Sequence, residues 1–126
     1  MTVKKIMHKP TFVDPNTTVT DAAKIMAKKN ISSVIVGTAE KPIGMFTERD
    51  IARKVIANGL ESSDTKIKDA MTQAVFTVNV NAKVEDAIGT MMAHYIRHLP
   101  VANDNGEVVG MLSARTLIDG IRYWYL

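Results

Sequence analysis

Apolar residues fall into the same order of runs and stripes twice along this chain. Thr11-Phe12-Val13 is a short extended run closed by the turn cluster Asp14-Pro15-Asn16. Val19, Ala22, Ala23 and Met26 then recur at the spacing of one helical face. Thr18 stands where an N-cap belongs, with Asp21 three residues on, and Asn30 is placed to end that helix. Two β-rich runs follow, Ser33 to Gly37 and Ile43 to Thr47, joined by the turn Ala39-Glu40-Lys41-Pro42. A second helix, from about Glu48 to Ala57, is expected to bury Ile51, Ala52, Val55 and Ile56 and to stop at Asn58-Gly59.

The second copy offers Val75 to Val78 as its short strand and Val84, Ala87, Ile88, Met91 and Tyr95 as its helix stripe. Leu99 to Ala102 and Val108 to Leu112 read as strands joined through Asp104-Asn105-Gly106, a hairpin signal because Asn-Gly accepts positive φ. The last helix carries Leu117, Ile118 and Ile121. Met7 answers to Met71, Asp21 to Asp86, Gly44 to Gly110 and Arg49 to Arg115, so the displacement grows from 64 to 66 residues. The expected fold class is α/β (α+β): two pseudo-symmetric βαββα repeats, residues 1–59 and 67–126, with a polar linker at 60–66. A repeat of about 60 residues buries too little surface to be comfortable alone. The two are therefore expected to share an apolar interface and to leave a cleft between them.

Composition narrows the chemistry. The 126 residues carry 16 Lys+Arg and 13 Asp+Glu, a net charge of +3 without any single-sign block, which argues only weakly for nucleic acid. There is no cysteine, which excludes a disulfide scaffold, Cys zinc sites and thiol catalysis. No apolar run approaches about 18 residues and the N-terminus lacks a signal-peptide core. The expectation is a soluble, cytoplasmic protein without a membrane partner. No Ser-His-Asp order, His-x-x-x-His pair or paired-acid constellation stands out, so neither an enzyme nor a metal site is expected. His94 and His98 are four apart, but a helix end is expected between them.

Val3-Lys4-Lys5-Ile6-Met7, the βαββα order and Gly44-Met45-Phe46-Thr47-Glu48-Arg49-Asp50 resemble a CBS domain. The second copy adds Ile67-Lys68-Asp69-Ala70-Met71-Thr72, Arg97-His98-Leu99-Pro100-Val101 and Gly110-Met111-Leu112-Ser113. No single motif is specific; the ordered set occurring twice is, and it covers nearly the whole chain. The resemblance implies a tandem CBS pair, or Bateman module, that senses AMP, ADP, ATP or S-adenosylmethionine and requires no cofactor. It also implies a homodimer, with output through a downstream protein partner that the sequence does not identify.

Thr47-Glu48-Arg49-Asp50 can be a capping box with no ligand at all. The resemblance adds that Asp50 accepts both hydroxyls of a ribose while Thr47 contacts ribose or phosphate. The second copy reads Ser113-Ala114-Arg115-Thr116, so Thr116 replaces the acid and a second nucleotide site is in doubt. Arg97 and His98 precede a strand. They read as a solvated arginine and an edge histidine, or, by the resemblance, as phosphate-reaching groups. Their counterparts Ser32 and Ser33 are small enough to admit a base. Thr72, whose counterpart is His8, holds a position that touches ligand in the family. Thr11 and Phe76 start the first strands, where backbone groups would meet an adenine edge. Arg49 and Arg115, kept in both copies despite an unfavourable helix dipole, would each need an acid or a phosphate. The aromatic tail Ile121-Arg122-Tyr123-Trp124-Tyr125-Leu126 is expected to pack, either on its own helices or at a homodimer interface. Alternatives to nucleotide sensing are a structural dimerisation module with degenerate pockets and, more weakly, nucleic-acid binding, against which the mixed charge along the helices argues.

Overall fold

The computed structural model describes residues 1–73 and 76–125, without the side chains of Ile121 and residues 123–125. Val75, expected to open a strand, and the aromatic side chains of the tail, expected to pack, lie outside that description. The first repeat runs β1 (Phe12–Val13), α1 (Val19–Lys29), β2 (Ser33–Gly37) and β3 (Pro42–Thr47). It ends in α2, a helical turn Glu48–Asp50 that continues as a wider coil over Ile51–Ile56. The second runs β4 (Val78–Asn79), α3 (Val84–His94), β5 (His98–Ala102), β6 (Val108–Ser113) and α4 (Ala114–Tyr125). Each repeat forms a three-stranded sheet, parallel between its first two strands and antiparallel between its last two. The register slips at matching places, Val36/Gly37 and Val101/Ala102.

Local chemistry explains most boundaries. Thr18 Oγ1 accepts the Asp21 amide at 3.1 Å and so caps α1, while Asn30 closes it in the left-handed region at φ 54. Tyr95 closes α3 at the same φ. It leaves the helix there and is 86% exposed, so it does not belong to the buried stripe expected of it. In α2 the Ala57 amide reaches back five residues to Ala52 O, and the widened turn carries Ile56 away from the core. Val55 is buried, but Ile56 is 65% exposed and Ala52 is exposed too, contrary to the helical-face expectation.

The chain condenses into two compact units, bounded differently from the sequence repeats. One is Thr11–Val75; the other joins Met1–Pro10 to Phe76–Leu126. The short leader turn Ile67–Asp69 sits in the unit of the first repeat, with Ile67 fully buried beside Val19, Val34, Phe46 and Val55. Its counterpart Val3–Lys5 sits in the unit of the second, with Val3 fully buried beside Val84, Leu99 and Leu112. Backbone pairs fix both leaders. Thr72 and Met45 exchange N–H···O bonds of 2.9 Å, and His8 and Met111 exchange bonds of 3.0 and 2.9 Å.

Gly44 and Gly110 make room for the methionines that follow these leaders. A Cβ on Gly44 would lie 2.5 Å from Met71 Sδ and 2.9 Å from Thr72 O, and one on Gly110 would strike Met7. The duplicated Gly–Met pattern is thus a duplicated packing pair. Residues 60–66 also bond to the first repeat: Thr65 O accepts the Val19 amide at 2.8 Å, and Ser62 O accepts that of Thr20 at 3.1 Å.

Candidate functional site

The most concentrated polar chemistry of the Thr11–Val75 unit lies where β3 passes into α2. Ser33 pairs with Thr47 across the sheet, and Ser32 O accepts the Glu48 amide at 3.1 Å. These contacts set the start of α2 against the edge of β2. Thr47 and Asp50 form the expected capping box. Thr47 Oγ1 accepts the Asp50 amide at 3.4 Å, and Asp50 Oδ2 accepts the Thr47 amide at 3.0 Å.

The cap uses only one oxygen of a carboxylate that is 6% exposed. Oδ1 faces Lys54 Nζ at 3.1 Å and the Thr72 hydroxyl at 3.3 Å. Lys54 Nζ also donates to Met71 O and to Thr72 Oγ1, both at 3.2 Å. A buried carboxylate without such partners would be costly. With the Thr47 hydroxyl also 3.4 Å from Oδ2, its two oxygens together meet four donors, close to the full capacity of the group. Asp50, Lys54 and Thr72 therefore form one closed network, anchored to the leader by its backbone.

Lys54 was not among the residues singled out from the sequence. The signal was present, since an acid followed four residues later by lysine is a helical ion-pair spacing. What sequence could not show is that the leader supplies the other acceptors.

The remaining expected site residues divide between the units. Thr11 O accepts the Ile35 amide at 2.8 Å, and its hydroxyl lies 3.4 Å from Lys29 Nζ. Arg49 is half-buried and, like Ser32 and His98, holds a contact of its own within the protein. In the other unit, His98 pairs with Ser113 across the sheet, and Arg97 O accepts the Ala114 amide at 2.9 Å. Arg97 and Arg115 are exposed. Phe76 stacks on His94 with ring centroids 3.7 Å apart, so its ring already has a partner.

The Thr116 position departs from Asp50 in more than one residue. Ser113 Oγ accepts the Thr116 amide at 3.0 Å and lies 2.8 Å from the Thr116 hydroxyl, a neutral cap in place of a charged one. At the 66-residue displacement, Lys54 corresponds to Gly120, whose Cβ would meet Ile6 Cγ2 at 2.8 Å. Both members of the ion pair are thus absent, and the glycine leaves no room for a lysine. His8, in the place of Thr72, has Nδ1 3.0 Å from Lys9 O. Among the described residues no group of His, Asp and Glu is arranged to hold a metal, and no helix is long and apolar enough to cross a membrane.

The chain and its architecture match a known family. The family model of the CBS domain matches residues 3–57 and again 67–123, and the chain belongs to that family as a tandem pair of CBS repeats. Among relatives, the mitochondrial CBS domain-containing protein CBSX3 of Arabidopsis thaliana is 37% identical over 109 residues, covering 82% of this chain and 52% of its own length. The chain spans about half the length of such relatives, 54% for a Methanopyrus kandleri protein. Two solved structures are similar throughout. The CBS domain protein PAE2072 from Pyrobaculum aerophilum, complexed with AMP, gives a TM-score of 0.84 at 27% identity, over 92% of this chain and 89% of its own. The CBS domain pair of protein MJ0100, in complex with 5-methylthioadenosine and S-adenosyl-L-methionine, gives 0.87 at 28% identity, over 98% and 97%.

Proposed function

We propose that this chain is a regulatory rather than catalytic module that takes an adenosine-containing nucleotide, with Asp50 and Thr47 holding the ribose. The observation that carries this reading is the buried Asp50 carboxylate between the Thr47 and Thr72 hydroxyls, in a family whose solved members include complexes with AMP and with S-adenosyl-L-methionine. A carboxylate is suited to a vicinal diol because it accepts both hydroxyls as charge-assisted hydrogen bonds. Thr116 in the other copy carries no charge, so the Asp50 position is the stronger ribose site. Within the Thr11–Val75 unit, Arg49 stays the candidate for phosphate, and Ser32, Ser33 and Thr11 for the base.

A ligand at about 100 times its dissociation constant adds about 2.7 kcal/mol of stability. The melting temperature should therefore rise by several degrees with at least one of AMP, ADP, ATP or S-adenosylmethionine. One observation favours the second reading, an interaction module with degenerate pockets: the chain's own groups already fill Asp50. No shift with any of the four compounds would decide for it.

The proposed functional form is a homodimer. Ile56 and Ile118 are each 65% exposed on the last helices of their repeats, large apolar side chains that a homodimer contact would cover. Replacing both by lysine should halve the mass seen by sedimentation equilibrium; an unchanged mass would place the contact elsewhere.

A further inference from the structure

Asp50 can accept a ribose only after giving something up, and the geometry limits what that can be. Oδ2 is held by the Thr47 amide at 3.0 Å, a bond that closes the start of α2 and cannot be released without undoing the cap. Oδ1 is held by two side chains, Lys54 Nζ at 3.1 Å and Thr72 Oγ1 at 3.3 Å. Two ribose hydroxyls would replace these two donors, one an ammonium and one a hydroxyl, on the same oxygen. Thr72 is on an exposed segment, and Lys54 has a side chain 42% accessible on a flexible stem, so both can yield.

The two displacements differ in consequence. Thr72, itself uncharged, loses one hydrogen bond to the carboxylate. Lys54 loses its anion and keeps only the neutral acceptors Met71 O and Thr72 Oγ1, at 3.2 Å each. The ribose brings no charge to replace the one withdrawn.

We infer that Lys54 is a specificity-determining residue of the Asp50 site, favouring anionic adenosine ligands over neutral or cationic ones. The inference rests on the nucleotide reading of that site and extends it to ligand charge. A phosphorylated nucleoside returns a negative charge to the displaced ammonium. Adenosine returns none, and S-adenosylmethionine carries a sulfonium that adds a positive charge near it. The Thr116 position, with neither the acid nor the lysine, has no such preference built in.

The test is calorimetric titration of AMP, adenosine and S-adenosylmethionine into the wild-type protein and Lys54→Met, which keeps the apolar stem and removes the charge. Wild type should hold AMP more tightly than adenosine. In Lys54→Met that ratio should fall roughly fivefold, the size expected of one partly exposed charge. Adenosine should bind the variant at least as tightly as it binds wild type, because Oδ1 is freed. Lys54→Gln serves as the second variant if Lys54→Met melts early. An unchanged ratio, with both ligands still binding, overturns the role of Lys54 and leaves the nucleotide reading standing. No binding of any of the three compounds to either protein overturns that reading and the Lys54 assignment with it.

Discussion

Asp50→Ala is expected to lower adenine-nucleotide affinity tenfold or more. Hydrogen bonds to a charged group contribute roughly 1.5 to 3 kcal/mol each, and about 1.4 kcal/mol is a factor of ten. Part of that loss is offset because the unliganded protein also forfeits its Lys54 contact, so the full value of two bonds is not expected. The same substitution removes the reciprocal half of the α2 cap, which costs about 1 kcal/mol of stability. Asp50→Asn separates the two effects, since its amide oxygen can still accept the Thr47 amide while the charge is gone. Calorimetric titration beside a denaturant melt reads both quantities. Equal nucleotide affinity in wild type and Asp50→Ala would remove the ribose from this carboxylate.

Ile67→Ala carries the largest expected loss of stability, about 2 to 5 kcal/mol by the range for truncating a buried aliphatic side chain. Ile67 is fully buried among Val19, Val34, Phe46, Val55 and Ala70, although by sequence it opens the second repeat. Its amide is also tied to Thr17 O at 2.9 Å, so the backbone cannot readily collapse into the space left behind. The loss should fall on the Thr11–Val75 unit, with early amide exchange at Val34 to Val36 in the β2 strand. A cost below about 1 kcal/mol, as for a surface site, would show that the leader is dispensable to that core.

The fold was legible where the chain's local chemistry decides it. The α1 stripe, its Thr18 cap, the left-handed stop at Asn30 and the Asn105-Gly106 turn all follow from residue type and period. Legibility ended where the backbone leaves regular helix geometry, and where a distant segment decides the outcome. Tyr95 sits at the right interval to extend the α3 stripe, but the left-handed turn it adopts puts its ring outside. Ile56 is correctly spaced for a regular helix, and the widened coil of α2 removes it from the core.

The capping box at Thr47 and Asp50 could be read directly from the spacing. Its closure by Lys54 and Thr72 could not, because Thr72 arrives through backbone pairing with Met45. Periodicity likewise assigns each leader to the repeat that it precedes and carries no information on which sheet it will join.

That exchange of leaders bears on how such a chain can arise. In a chain with a single copy of the repeat, the same trade would need two molecules, each lending its first turn to the other. Joining two copies end to end makes the trade internal, so completing either core no longer depends on protein concentration. Once the trade is internal the copies are free to diverge, as the acid–lysine pair on one side and the threonine–glycine pair on the other already have.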